Sequence, residues 1–259
     1  MTGRPTAVVT GAARGIGAAV VRRLSDDGWN VFAVDLCEDD PAVPYPLGTA
    51  DQLRSLESGT VTAVPGDVRE QGVLDAAVEQ ALHRHGRLDA AVGAAAVVLG
   101  GQPLWETTDQ QWNALFATDV VGLLNLARAA VPAMLGAPEP RRGRFVALAS
   151  AAAHTGLWRL GAYCTAKHAV LGLVRGLAAD LQGTGIGAVA VSPGSTRTDM
   201  LRATAALYGL SNMDDLARHQ LVNRLLEPEE VAAAVAWACS PEASAINGTV
   251  LHADGGFMG

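Results

Sequence analysis

Thr10-Gly11-Ala12-Ala13-Arg14-Gly15-Ile16-Gly17 is the stretch on which the reading of this chain turns. The apolar run Ala7-Val8-Val9 before it reads as a buried strand. Ala18 to Leu24 after it reads as a helix. A glycine-rich turn between strand and helix builds an anion site. Gly11 permits the tight turn, Gly15 lets the backbone approach a phosphate, and Gly17 lets the helix pack closely on a sheet. The helix start adds free N–H groups and the positive end of its dipole. A plain strand–helix turn can also be rich in glycine. The position after an N-terminal strand and before a helix favours nucleotide binding, with Gly11, Arg14, Gly15, Ile16 and Gly17 as the seat of a pyrophosphate.

Working outward, Val31-Phe32-Ala33-Val34 reads as a second strand closing on Asp35, with Leu36 next. An acid roughly 20 residues past such a turn accepts hydrogen bonds from a ribose and repels a 2′-phosphate. Asp35 therefore argues for NAD over NADP. Arg14 could pair with that phosphate and argues the other way, but charge repulsion at the ribose is the more direct effect. Val61 to Val64 is a third strand before Gly66-Asp67-Val68. Asp67 suits an adenine amino group, or else caps the helix near Arg69 to His85. Leu88 to Val92 leads into the small residues Gly93-Ala94-Ala95-Ala96, which leave room for a cofactor or allow close packing.

Later segments repeat the alternation. Asp109 to Leu135 is a long helical pattern interrupted by Asp119. Phe145 to Ala149 is a strand ending on Ser150, and Gly161 to Leu181 is a helix carrying Tyr163 and Lys167. Ile186 to Val191 is a strand before Ser192-Pro193-Gly194, and Asp199 to Asn223 reads as a helical pair over the site. A helix from Pro228 to Cys239 and a strand at Thr249 to Leu251 complete the chain. Strands that alternate with helices imply a parallel sheet with helices on both faces.

Bulk properties exclude several classes. The 259 residues suffice for one α/β domain, and the net charge of −7 argues against a nucleic-acid binder. Cys37, Cys164 and Cys239 form no metal-ligand spacing and leave one thiol unpaired in any disulfide scheme, which suits the cytoplasm. Met1-Thr2-Gly3-Arg4-Pro5 runs directly into the first strand, so no leader is expected. The longest apolar stretch, near Ala90 to Leu99, is too short to span a bilayer.

Tyr163 and Lys167 stand four apart on a helical pattern and so share a face. A free phenol, with a pKa near 10, is too weakly acidic to serve as a base at neutral pH. A nearby ammonium stabilises the phenolate and can also bind ribose hydroxyls. Ser150, at a strand's C-terminal end, can donate to a substrate oxygen. With a dinucleotide turn, this set describes hydride transfer at a carbinol or carbonyl carbon, Tyr163 handling the proton.

On these residues the chain resembles the short-chain dehydrogenase/reductase family along nearly its full length. The turn matches Thr-Gly-x-x-x-Gly-x-Gly, Asp67 the adenine contact, and Ser150, Tyr163 and Lys167 the catalytic set. Pro193-Gly194 with Thr196 and Thr198 is similar to the loop that holds the nicotinamide carboxamide. The resemblance implies an α/β fold: one Rossmann domain over 1–259 with a doubly wound, parallel, seven-stranded sheet ordered 3-2-1-4-5-6-7. It also implies a homodimer or homotetramer joined partly through the two long helices. Two positions depart from the pattern. Ala94-Ala95-Ala96 replaces Asn-Ala-Gly, and Asp119, followed by Gly122, replaces the fourth catalytic residue, an asparagine whose main chain holds a water. Asp119 can keep that role through its backbone. If ionised near Lys167, it stabilises the ammonium and alters the tyrosine.

The connection at 36–59, rich in proline, resembles a narrower group: dehydrogenases associated with the redox peptide cofactor mycofactocin. There an insertion after the second strand is thought to cover NAD and hinder its exchange. The residues carrying the likeness are Val34-Asp35-Leu36-Cys37, Tyr45-Pro46, Thr49, Asp51 and Leu53. The expected function is hydride transfer between NAD and a small-molecule alcohol or its carbonyl product, with mycofactocin as candidate electron acceptor. A ketone or 3-oxoacyl reductase using NADPH is the nearby alternative, against which Asp35 speaks. A non-catalytic dinucleotide-binding or sensor protein is the other, against which Ser150, Tyr163 and Lys167 speak. The substrate wall is expected from Val98, Leu99, Leu157, Trp158, Leu160, Met200, Leu201, Leu207 and Tyr208, which suits a hydrophobic or ring-bearing alcohol. Trp158 and Leu160 equally suit oligomer contacts. The segment 199–223 is the expected substrate lid.

Overall fold

The computed structural model describes residues 3–258. Met1, Thr2 and Gly259 lie outside them, and so does the Met1-Thr2 part of the expectation about the N-terminus. Seven strands form one parallel sheet: β1 (Thr6–Thr10), β2 (Asn30–Asp35), β3 (Val61–Pro65), β4 (Ala90–Gly93), β5 (Arg144–Leu148), β6 (Gly187–Pro193) and β7 (Val250–Ala253). Their order is β3-β2-β1-β4-β5-β6-β7. Val8 stands level with Phe32 on one side and Ala91 on the other. The order reverses between β1 and β4, which opens a crevice beyond the strands' C-terminal ends.

Side-chain alternation sorts the core into two layers. Ala7, Val9, Val31, Ala33, Val92, Val146 and Val189 point to the face covered by α1 (Gly15–Asp26) and α8 (Pro228–Cys239). Val8, Phe32, Val34, Ala91, Phe145 and Ala188 point to the other face. There α3 (Gln71–His85), α5 (Gly122–Leu135) and α6 (Gly161–Asp180) pack. Between β2 and β3 only α2 (Ala50–Arg54) is helical, opened by a capping box of Thr49 and Gln52.

Several local expectations change. Asp67 is not a helix cap: α3 begins at Gln71, and the Asp67 carboxylate instead accepts from the Arg69 main-chain N–H at 2.8 Å and from its guanidinium. The pattern from Asp109 to Leu135 is α4 (Asp109–Leu115), a π-helical turn over Phe116–Val121, and α5. The widened turn coincides with Asp119, the buried carboxylate of this helix. The whole 27-residue stretch is also long and apolar enough to cross a bilayer, a feature that attention to Ala90–Leu99 overlooked. Half of its most apolar window is buried inside the fold, as befits a core helix. The expected pair over 199–223 is α7 (Asp199–Leu207) and a 3-10 helix, Met213–His219. Gly209, at φ +70°, turns the chain out of α7. The two pieces share a small core of Ala205, Leu216 and Leu225.

Candidate active site

The first turn folds as its glycines require. Gly11 and Gly15 take positive φ, +66° and +55°. Gly17 has no room for a side chain, because a Cβ would overlap the Gly11 carbonyl oxygen. The turn is pinned from β2: the Ala13 N–H donates to Asp35 Oδ2 at 2.9 Å, and the Cys37 N–H donates to Oδ1 at 3.2 Å. Arg14, the group that could meet a 2′-phosphate, has its guanidinium turned to Asp199 at 3.3 Å. The Thr10 hydroxyl accepts from the main-chain N–H groups of Ala94 and Ala95, bracing the loop after β4. Thr198 caps α7 by accepting from the Leu201 N–H at 3.2 Å. Thr196 donates to the Gly194 carbonyl at 3.1 Å.

The catalytic end is assembled from β5, α6 and the π turn. Ser150 is within hydrogen-bonding reach of the Tyr163 phenol. Lys167 Nζ lies 5.6 Å from the Tyr163 ring centre and 3.0 Å from Asp119 Oδ2. Asp119 Oδ1 accepts from the Val97 N–H at 2.8 Å. Both members of the ion pair are almost completely buried. Oδ2 receives no well-directed hydrogen bond, so its contact with Lys167 is chiefly coulombic. Asp119 also borders a small void of about 10 Å³ with Thr10, Gly93 and Leu148, room for one water at most.

Burial disfavours both charges and each offsets that cost for the other. Burial pushes the Asp119 carboxyl up against the pull of Lys167. Burial pulls the Lys167 ammonium down, but Asp119 and then Tyr163 more than restore it, and its pKa ends above the usual lysine value. At 3.0 Å the two stand as a salt bridge, in which each favours the charged form of the other against the cost of burial. Tyr163 departs from the simple expectation of a lowered pKa. Burial pushes the phenol up, Lys167 and Ser150 pull it down, and Asp119 cancels part of the lysine's effect.

One cavity of about 730 Å³ joins the two ends. It is lined by Gly11, Arg14, Gly15, Ile16, Gly17, Asp35, Leu36, Asp67, Val68, Ala94, Ser150, Tyr163, Lys167, Pro193, Gly194, Thr196 and Thr198, every site residue expected from sequence except Asp119. Asp119 lies behind the wall and reaches the cavity only through Lys167. Of the expected substrate wall, Leu157, Trp158, Leu160, Met200, Leu201 and Tyr208 line it. Val98, Leu99 and Leu207 pack behind it. Leu160 is buried and so is no oligomer contact, whereas Trp158 is exposed, stacked on Tyr208 at 6.2 Å and covered by the Arg159 guanidinium.

Residues that sequence reasoning missed come from the connection after β2, the loop after β3, the Met213–His219 helix and the C-terminal tail. Asp40, Leu47 and Gly48 line the cavity, as do Arg69, Arg218, His219 and Phe257. Arg69 ties Asp40 to Asp67, with both ion pairs at 2.6 Å. Gly48 presses on the turn; a Cβ there would stand 2.7 Å from Ala13 Cβ and 3.0 Å from Asp35 Oδ1. The short Asp67-x-Arg69 spacing could have suggested the Arg69–Asp67 pair. Nothing local could have brought Phe257 to this site. Among the described residues no cluster of His, Cys, Asp or Glu is arranged to hold a metal.

A cavity that runs from a ribose-side carboxylate past a glycine turn to a Ser–Tyr–Lys set has the size and polarity of a dinucleotide site. Residues 11–258 match the model of a family described as enoyl-(acyl carrier protein) reductase. The chain belongs to the short-chain dehydrogenase/reductase family. Within that family it is 35% identical to an uncharacterized oxidoreductase of Mycobacterium tuberculosis, over 97% of this chain and 95% of that one. It is 34% identical to a 2,5-dichloro-2,5-cyclohexadiene-1,4-diol dehydrogenase of Sphingobium indicum, over 97% and 96%. A similar solved structure is the carveol dehydrogenase of Mycobacterium avium in complex with NAD. Its TM-score is 0.90 at 28% identity, covering 98% of this chain and 99% of that one. The chain is thus an oxidoreductase of the short-chain family.

Proposed function

We propose that this protein oxidises an apolar, ring-bearing or secondary alcohol with NAD. The observation that carries the proposal is the convergence of Ser150, Tyr163 and Lys167 at one end of a cavity whose other end holds the glycine turn and Asp35. Asp35 takes the ribose hydroxyls, and Gly11 to Gly17 take the pyrophosphate at the start of α1. Asp67 and Val68 border the adenine, and Pro193, Gly194, Thr196 and Thr198 frame the nicotinamide. When bound, the nicotinamide supplies the hydride acceptor. Ser150 donates a hydrogen bond to the alcohol oxygen. Tyr163, as phenolate, takes the hydroxyl proton. Lys167 stabilises that phenolate, and Asp119 positions Lys167.

The names of similar proteins support a cyclic alcohol or diol as substrate: one acts on a chlorinated cyclohexadienediol, another on carveol. Apolar lining by Leu157, Leu160, Met200, Leu201 and Leu216 supports the same class. On this reading α7 and the Met213–His219 helix are the substrate lid. The connection over 36–59 closes NAD in from the adenosine side, and mycofactocin is the acceptor that reoxidises it. Apolar residues exposed along 109–135, Trp112, Val121, Leu124 and Leu135, support a homodimer or homotetramer joined partly through this long helix. Three free thiols fit a cytoplasmic enzyme.

The test combines native mass spectrometry of the purified protein with turnover of cyclic and acyclic alcohols, using a dye acceptor and no added NAD. Retained NAD and dye-dependent oxidation are the expected results. A protein that holds NAD yet oxidises no alcohol in the panel would instead be a binding or sensor protein. Turnover only with excess NAD would remove the trapped-cofactor part alone.

A further inference from the structure

Tyr45 lies in the connection after β2, far in sequence from the catalytic residues. The phenol reaches across the mouth of the sheet and accepts a hydrogen bond from the Val98 N–H at 2.8 Å. The preceding amide, that of Val97, donates to Asp119 Oδ1. Two successive N–H groups of one short segment are therefore held by two side chains, one from the connection and one from the π turn. Tyr45 packs with Val43 and Leu47 in the same apolar cluster as Val97, Val98, Leu99, Leu160 and Tyr163. Val97 and Val98 are buried, so neither amide can turn to bulk water if it loses its acceptor.

We propose that Tyr45 is a positioning residue for the catalytic pair: by holding the Val98 amide it keeps the Val97 amide on Asp119, and so sets how strongly Asp119 neutralises Lys167. The inference rests on the proposed dehydrogenase reading and adds a link from the cofactor-side connection to the proton-transfer group. The groups facing Tyr163 are Lys167 and Cys164 from its own helix, Asp119 from the π turn and Ser150 from the end of β5. Asp119, Tyr163 and Arg14 act on Tyr45 in turn. Burial, the largest influence, pushes the Tyr45 phenol well up, so it stays protonated and serves as a steady acceptor.

Loss of the Tyr45 hydroxyl orphans the Val98 N–H, and the Val97–Val98 segment then shifts to find another acceptor. Asp119 Oδ1 loses its N–H donor and turns to the cation beside it. Lys167 becomes more fully neutralised, and the Tyr163 phenolate loses part of its stabilising field. Tyr45→Phe therefore raises the ionisation midpoint of Tyr163, whereas Asp119→Asn lowers it. In the Asp119→Asn background, Tyr45→Phe has no carboxylate to redirect, so its effect disappears.

The measurement is a pH titration of the NAD-loaded protein by NMR, labelled at the oxygen-bearing ring carbon of tyrosine. Only three tyrosines are present, and Tyr163→Phe identifies the signal. The expected result is an upward shift of about 0.5–1 pH unit in Tyr45→Phe, a fraction of what a hydrogen bond to a charged group supplies, and none in the double variant. A lower melting temperature with an unmoved midpoint, or shifts that simply add, would show that Tyr45 only packs and would overturn the proposal. If Tyr45→Phe does not fold, Tyr45→Leu removes the same acceptor with a side chain that can repack in the apolar cluster and must move the midpoint upward; no movement overturns the proposal equally. The titration needs no substrate. A failure to oxidise any alcohol would count against the proposed function and leave this result readable.

Discussion

Asp119→Asn removes a buried negative charge from the catalytic pair while keeping a side chain of the same shape. Lys167 Nζ lies 5.6 Å from the Tyr163 ring centre and 3.0 Å from Asp119 Oδ2, so the carboxylate oxygen stands no more than about 9 Å from the ring centre. At an effective dielectric constant of about 20, a unit charge at that distance contributes about 1.8 kcal/mol, or about 1.4 pH units. Asp119 acts to raise the phenol, so its removal lowers the Tyr163 pKa. Alcohol oxidation requires the phenolate. The rising limb of kcat/KM against pH therefore moves to lower pH, by about one unit once some loosening of Lys167 is allowed for. The assay is the pH profile of alcohol oxidation by wild type and variant. A midpoint that stays in place, or moves to higher pH, refutes the electrostatic role assigned to Asp119. Loss of all activity with NAD binding intact would instead mean that Lys167 needs its partner to remain charged.

Asp40→Ala breaks the ion pair that fastens the connection after β2 to Arg69, and NAD dissociation should quicken by about tenfold, the equivalent of ~1.4 kcal/mol. The Asp40 carboxyl is held low, mainly by the Ala42 N–H and, against burial, by Arg69. Its anchoring is therefore complete above the ordinary carboxylate range and is lost as pH falls below it. Stopped-flow release of NADH, followed from neutral to acid pH, checks both statements. Asp35→Asn keeps an oxygen for the Ala13 N–H but removes the charge; the preference for NAD over NADP, measured by calorimetry, should shrink by about tenfold, again ~1.4 kcal/mol. Gly17→Ala places a Cβ against the Gly11 carbonyl; thermal melting should show a loss of about 1–3 kcal/mol, together with weaker NAD binding.

The sheet was legible because its signals are local. Buried parallel strands read as short apolar runs, and the turn at Gly11–Gly17 has a conformation that only glycine fills cheaply. Boundaries shifted by a residue or two where a ladder ends on polar neighbours: Leu88 is buried, yet β4 begins at Ala90. The candidate cofactor and catalytic residues, Asp119 apart, come together along one cavity, because most of them sit at the C-terminal end of a strand or on the first turns of the helix that follows. Less was readable in the lid, where a 3-10 helix with charges on several sides has no strong period.

By itself the amino-acid sequence determined the order of strands and helices, the glycine turn after the first strand, the acid at the end of the second and the tyrosine–lysine pair on one helix face. These depend on backbone chemistry and on spacings of a few residues. Only the tertiary structure decided that Asp119 meets Lys167, that Arg14 is taken up by Asp199, and that Tyr45 holds the Val98 amide. The partners in these contacts stand 48, 185 and 53 residues apart in the chain. No local preference encodes them. They form because the sheet brings its strand ends to one rim, where a buried charge or amide must find whatever partner the fold delivers.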